Sequence, residues 1–196
     1  MALRPVPVVD IDHYVCSERF MTPAPATADE LGRLAFIKYV FSLALTQAKQ
    51  PEPLSNVALL LLHDSIEAFL QLACARLGLK VGDDKFMPLC GAVDAKLREQ
   101  SEVLPEIGRM PALNSARGAL KHKGVFPSAR ELERHVQMAI RFFDQASPMI
   151  FAVSFDRISM ADLVTCGPAR DELKRAEQAL EADDVGGGLL ACALAL

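Results

Sequence analysis

Several signatures of familiar chemistry are missing from this chain. It has no glycine-rich phosphate loop, no Gly-x-Gly-x-x-Gly fingerprint, no Gly-x-Ser-x-Gly elbow and no His-Glu-x-x-His pair. Nucleotide-driven motors, dinucleotide enzymes, serine hydrolases of the elbow type and zinc proteases therefore lack support. Its five cysteines are odd in number and scattered without a Cys-x-x-Cys pair, which argues against a disulfide framework or a structural zinc site and fits a reducing cytoplasm. Tryptophan is absent, and strand-like patterning is scarce, Ile150 to Phe155 being its best instance. The N-terminus has no charged, apolar and small-residue order of the secretory kind, so export is not expected. The longest apolar runs, Val57 to Leu62 and Leu189 to Leu196, fall short of the roughly 20 residues that cross a bilayer, and no membrane partner is expected.

What is present is helical. With 196 residues, 51% of them hydrophobic, the chain is long enough for one well-buried domain with appended structure. Residues 1–28, with Pro5, Pro7, Pro23 and Pro25, read as an extended N-terminal arm. Thr27 and Glu30 then form a capping box that opens a helix to about Lys49, with Leu31, Leu34, Ala35, Tyr39, Ser42 and Leu45 as its core face. A Gln-Pro-Glu-Pro turn precedes a second helix, Leu54 to about Leu77, apolar on all sides in its first turns and so expected at the centre of a bundle. Phe86 to Gln100 reads as a weaker helix interrupted by Pro88 and Gly91. Ser128 and Glu131 make a second capping box for a helix to about Ala146, which Ser147-Pro148 ends unless a kinked continuation reaches Phe151. Beyond Phe155, an amphipathic helix over Ala169 to Asp184 is broken by Gly186-Gly-Gly. The apolar Leu189 to Leu196 looks like half of a hairpin whose partner lies elsewhere. The expectation is an all-α bundle of four to five antiparallel helices over residues 29–155, with a helical C-terminal appendage over 156–196.

The unusual chemistry gathers between Leu113 and Gly124. From Ile107 to Arg130 there are five basic residues and no acidic one, in a chain whose net charge is -4. That reversal of sign points to an anionic partner, although the island lacks the turn geometry of a helix-turn-helix reader. At about 100° per residue, Arg117, Lys121, Asn114, Gly118 and His122 follow one another around a single polar arc, opposite Leu113, Ala116, Ala119 and Leu120. Gly118 costs roughly 1 kcal/mol against alanine inside a helix, which asks for close packing or the approach of a ligand such as a phosphate. Gly124 and Pro127 supply the stop, leaving His122, a candidate proton carrier, in the last turn.

On the preceding long helix His63, Glu67 and Gln71 line up at successive turns, with Asp64 adjacent. A carboxylate there could orient Arg117 or His122. Together with Glu131-x-x-x-His135 the pair could also build a two-helix metal site, but such spacings more commonly mark ion pairs or buried hydrogen bonds. No metal and no cofactor is expected.

Arg117, four intervening residues and His122 resemble the Arg-x4-6-His motif of the HEPN superfamily, small all-helical domains that include metal-independent endoribonucleases and toxins. Leu113-Asn114-x-x-Arg117, Lys121-His122-x-Gly124-x-x-Pro127 and the His-Asp-x-x-Glu-x-Phe-Leu run from His63 to Leu70 are similar to forms taken in bacterial HEPN-like proteins. The likeness covers roughly Asp29 to Ile150. It implies a composite site at a homodimer interface, in a toxin or phage-defence setting, with His122 activating a ribose 2'-hydroxyl and Arg117 steadying the phosphate. Asn114, Lys121 and Gly118 would contact the substrate, and His63 and Glu67 would support them. The implied partners are RNA or a nucleotide, a second copy, and a protein partner or antitoxin. Gly118 stands where active members often carry asparagine or aspartate, and Gly124 where antitoxin-silenced toxins carry tyrosine. The reading that competes is a noncatalytic helical module that binds RNA, a nucleotide or a protein.

Overall fold

The computed structural model describes residues 23–82 and 85–196. The expected N-terminal arm lies outside the described residues except for 23–28. Among the described residues the chain forms α-helices and short 3-10 turns, with no strand. Ile150 and Phe151, part of the one strand-like stretch, close a helix instead.

Helix α1 (Ala28–Ala48) begins at the expected capping box. Thr27 Oγ1 accepts from the Glu30 N–H, and the Glu30 carboxylate accepts from the Thr27 N–H at 2.7 Å. Glu30 also takes Arg76 Nη1 at 2.8 Å, which ties the start of α1 to the end of the next helix. The core face of α1 is rotated from the expected one. Leu34, Ala35, Ile37, Phe41 and Ala44 are buried, whereas Tyr39 is 45% exposed and Ser42 is exposed. Apolar residues encircle this helix, so its sequence carries little phase information, and its neighbours choose the buried side.

After a 3-10 turn at Leu54–Asn56, α2 (Val57–Arg76) runs through the centre and touches every other helix of the bundle. These neighbours are α1, α3 (Phe86–Arg98), α4 (Met110–Lys123) and α5 (Ala129–Phe151). Leu54–Arg76 is long and apolar enough by length and composition to cross a membrane, yet most of that window is buried inside the bundle. One helix of this kind is what a bundle's central member requires. Helix α3 is continuous, because Pro88 falls in its first turn, where no N–H is needed, and Gly91 is accommodated.

Helix α5 opens on the second capping box, Ser128 with Glu131, and continues past Pro148 to Phe151. Proline there forfeits one hydrogen bond, but the turn beyond it places Ile150 and Phe151 in the core, and their burial outweighs the loss. Phe69 meets Phe142, Phe143 and Phe151 edge-on at 5.3 to 5.6 Å, and Phe143 stacks on Phe155 at 4.3 Å. These rings form the aromatic end of the core.

The chain then crosses back over α1, held by Lys38 Nζ donating to the carbonyls of Asp156 and Ile158 at 2.6 and 2.7 Å. Helices α6 (Gly167–Glu181) and α7 (Val185–Leu194) pack on each other as a hairpin with Ala176 and Ala191 buried, while Leu189, Leu190 and Leu194 stay exposed. Gly186, Gly187 and Gly188 do not interrupt a helix but open α7. The Asp184 carboxylate accepts from the Gly187 N–H at 2.9 Å and lies where a side chain on Gly187 would begin, and Gly188 packs against Leu180.

Candidate functional site

Helix α4 has an irregular start and a defined end. A 3-10 turn at Ile107–Arg109 feeds into it and Pro111 sits in its first turn, while Gly124 at φ +63° closes it in the left-handed conformation that glycine adopts without strain. Lys121, His122 and Lys123 occupy the last turn, where positive charge is favoured.

The expected single polar arc is divided in two by the fold. Its inner half, Asn114 and Arg117, turns toward α2. Asn114 Oδ1 lies 3.2 Å from His63 Nε2, so the side chain expected to touch substrate is engaged in the interior. Arg117 is 24% exposed, its Nη2 is 3.8 Å from Asp64 Oδ1, and its Nε is buried without a hydrogen-bond partner. At that distance the attraction to Asp64 is one of charge rather than a hydrogen bond. The Asp64 carboxyl is held below its ordinary value first by the His63 ring beside it, then by Arg117 and Lys121, against partial desolvation that acts the other way. The partner on α2 offsets the burial of Asn114, since a buried polar group without one costs about 1–3 kcal/mol, whereas Arg117 has only the charge of Asp64.

The outer half of the arc faces water. His122 and Lys121 are exposed. A side chain built on Gly118 would meet nothing within 4 Å, so close helix packing does not explain this glycine, and the surface over it is open to a ligand. Five positions apart on a helix, Arg117 and His122 diverge by about 140° around its axis. Within one protomer the two flank Gly118 rather than face each other.

His63 and Glu67, the expected supporting residues, do lie beside Arg117's anchor. His63 is 2% exposed and stacks on Phe86 with ring centroids 4.2 Å apart, while its Nδ1 is 3.5 Å from Asp64 Oδ1 and 3.7 Å from Glu67 Oε2. Asp64, rather than Glu67, is the carboxylate that faces the guanidinium. Asp64 was legible only as the neighbour of His63, and no signal in the sequence marks Phe86 as its lid. Glu131 and His135 line a different part of the molecule, so the two-helix metal constellation is not formed. Among the described residues, His63, Asp64 and Glu67 alone converge as candidate metal ligands, with donor atoms within 4.8 Å of one another.

The basic island is also smaller than its sequence suggests. Glu106, one residue before it and at φ +57°, accepts from Arg109 Nη1 and Arg141 Nε, each at 2.8 Å. With Arg109 and Arg117 both facing carboxylates, Lys121, Lys123 and Arg130 remain. None of these three makes an ion pair among the described residues, and all are exposed near the end of α4 and the start of α5.

On the opposite side of α4 lies a groove of about 750 Å³ between α4 and α5. Ala112, Ser115, Ala116 and Ala119 form its thin wall, and Arg134, His135, Met138 and Arg141 the other. A smaller hollow at its end is lined by Val125, Phe126 and Pro127, with His135 reaching both. Burial pulls the His135 imidazole below its ordinary value, and Arg134 adds to this while Glu131 opposes it. Neither hollow includes Arg117 or His122.

Compared with known proteins, the chain matches no family model, no curated protein and no solved structure.

Proposed function

We propose that this protein is an endoribonuclease of the HEPN kind that cuts RNA without a metal ion, through Arg117 and His122 in a site completed by a second copy of the chain. The single observation that carries the reading is the open floor at Gly118, flanked by a guanidinium and an exposed imidazole and bordered by Lys121. In this reading neutral His122 accepts the proton of a ribose 2'-hydroxyl, whose oxygen attacks the adjacent phosphorus. The P–O bond to the next nucleoside breaks, and the departing 5'-oxygen takes a proton from solvent or from the partner's His122. Products are a 2',3'-cyclic phosphate and a 5'-hydroxyl. Arg117, whose Nη2 lies 3.8 Å from Asp64 Oδ1, balances the charge that grows on the phosphoryl oxygens. Lys121, Lys123 and Arg130 draw the polyanion in.

The divergence of Arg117 and His122 within one protomer is the reason for invoking a dimer, since a twofold axis brings the histidine of one copy toward the arginine of the other. A noncatalytic RNA- or nucleotide-binding module is the second reading. It is favoured by the engagement of Asn114 with His63, which removes one of the expected substrate contacts.

The test is incubation of the full chain with mixed RNA in chelator, beside His122→Ala. That position is exposed, so the variant should fold. Cleavage to cyclic-phosphate ends that survives chelator and vanishes in the variant is expected. Intact RNA with both proteins, together with salt-sensitive binding, would replace the nuclease with the binding module.

A further inference from the structure

His63 is a buried imidazole whose hydrogen-bond inventory does not close. Its Nε2 faces Asn114 Oδ1 at 3.2 Å, and an oxygen acceptor fixes the ring proton on that nitrogen. In the neutral ring that tautomer leaves Nδ1 a lone pair. That atom is buried, makes no hydrogen bond, and points between the carboxylates of Asp64 and Glu67. Three donor atoms converge on one small space, which either a proton or a metal ion held among them would satisfy.

We infer that His63 Nδ1, Glu67 and Asp64 form a binding site for a divalent transition-metal ion of the zinc type. Glu67 is one turn on from His63 and shares its helix face. An ion that holds nitrogen and oxygen donors at about 2.1 Å in a tetrahedron sets those donors about 3.4 Å apart. The separations of 3.5 and 3.7 Å from Nδ1 are too long for hydrogen bonds, yet within a few tenths of an ångström of that edge. A donor set of one imidazole and two carboxylates suits zinc or its neighbours better than calcium or magnesium, which favour oxygen alone.

The surroundings have the features of a metal site. Asn114, reaching from α4, sets the tautomer of the ligating ring as an outer-shell partner does. Phe86 covers the flat of the ring. Exposure rises from 2% at His63 through 26% at Glu67 to 54% at Asp64, which gives the ion an entry path and leaves its fourth position to water. The site shares Asp64 with the carboxylate that faces Arg117, but the nuclease chemistry needs no metal, so cleavage in chelator and ion binding are read out separately.

The test uses the full chain stripped with chelator and then titrated with zinc by calorimetry and with cobalt by visible absorption. Expected are one ion per chain, the intense bands of four-coordinate cobalt, and a thermal midpoint that rises with zinc because only the folded chain assembles the ligands. Glu67→Gln, at a partly exposed position, should lower affinity at least about tenfold. Asn114→Ala should lower it by about 10–100-fold, the range for lost outer-shell partners. A Cys166→Ser/Cys192→Ser double variant, which removes the two exposed thiols among the described residues, should leave it unchanged. Binding that survives Glu67→Gln, or that disappears with the two thiols, would assign the ion to the surface and overturn the proposal. So would the absence of stoichiometric binding at micromolar zinc, in which case a proton occupies the space.

Discussion

Replacing Asn114 by alanine probes the contact that joins α4 to the centre of the bundle. In the folded chain the Asn114 amide oxygen is the acceptor for His63 Nε2, and His63 Nδ1 has no hydrogen bond of its own. Asn114→Ala thus leaves both nitrogens of a ring that is 2% exposed without a partner. Leaving a buried polar group unsatisfied costs about 1–3 kcal/mol, and the half-buried asparagine loses little apolar packing, so a destabilisation of about 2 kcal/mol is expected. With a urea slope of about 2–3 kcal/mol/M, the unfolding midpoint falls by roughly 0.8 M. Asn114→Asp keeps an oxygen at the same place and should recover most of the loss. His63→Phe retains the stack on Phe86 and removes the imidazole, which makes a double-mutant cycle informative, with a coupling of about 1 kcal/mol between the two positions. Additivity within roughly 0.3 kcal/mol would show that the contact contributes nothing. Asn114 would then belong to the outer arc, and the assignment of the ring proton would fall with it.

Three further outcomes are expected. Gly118→Ala meets open space, so it should stabilise the helix by up to about 1 kcal/mol in thermal or urea unfolding while impairing RNA cleavage, because a methyl group would then stand on the floor of the site; unimpaired cleavage would place the phosphate elsewhere. Burial pushes the Cys90 thiol up to about 12, so alkylation near neutral pH followed by peptide mass mapping should label Cys166 and Cys192 and spare Cys90. His135 sits below its ordinary value of 6.5 because burial disfavours its charged form, so the unfolded chain takes up its proton first as pH falls. Its contribution is present above 6.5 and is lost as pH falls through the depressed value, and unfolding curves on either side of 6.5 should show a weaker dependence in His135→Gln.

The parts of this fold written locally were legible. Thr27 with Glu30, Ser128 with Glu131, and Gly124 each settle a helix end with groups no more than a few residues apart, and such ends follow from composition and spacing. Pro148 illustrates where local rules stop. Its missing N–H argues for an end, and only the tertiary burial of Ile150 and Phe151 explains why the helix continues. Gly186 to Gly188 read locally as a break, yet a single carboxylate, Asp184, turns them into a helix start. The rotated face of α1 was unreadable because a helix apolar on all sides has no preferred azimuth. In α4, periodicity identified the polar residues but could not tell which of them would find polar partners. Asn114 and Arg117 point inward because His63 and Asp64 wait on another helix, fifty-odd residues earlier in the chain.

The central helix presents different sides to different tasks. His63, Asp64 and Glu67 emerge on one side, whereas Phe69, which anchors the cluster of rings around Phe143, projects about 120° away from His63. Cohesion and reactivity are thereby carried by separate flanks of one rod. Substitutions at Asp64 and Glu67, the more exposed members of the polar flank, leave the greasy one untouched, whereas His63 joins the two by its stack on Phe86.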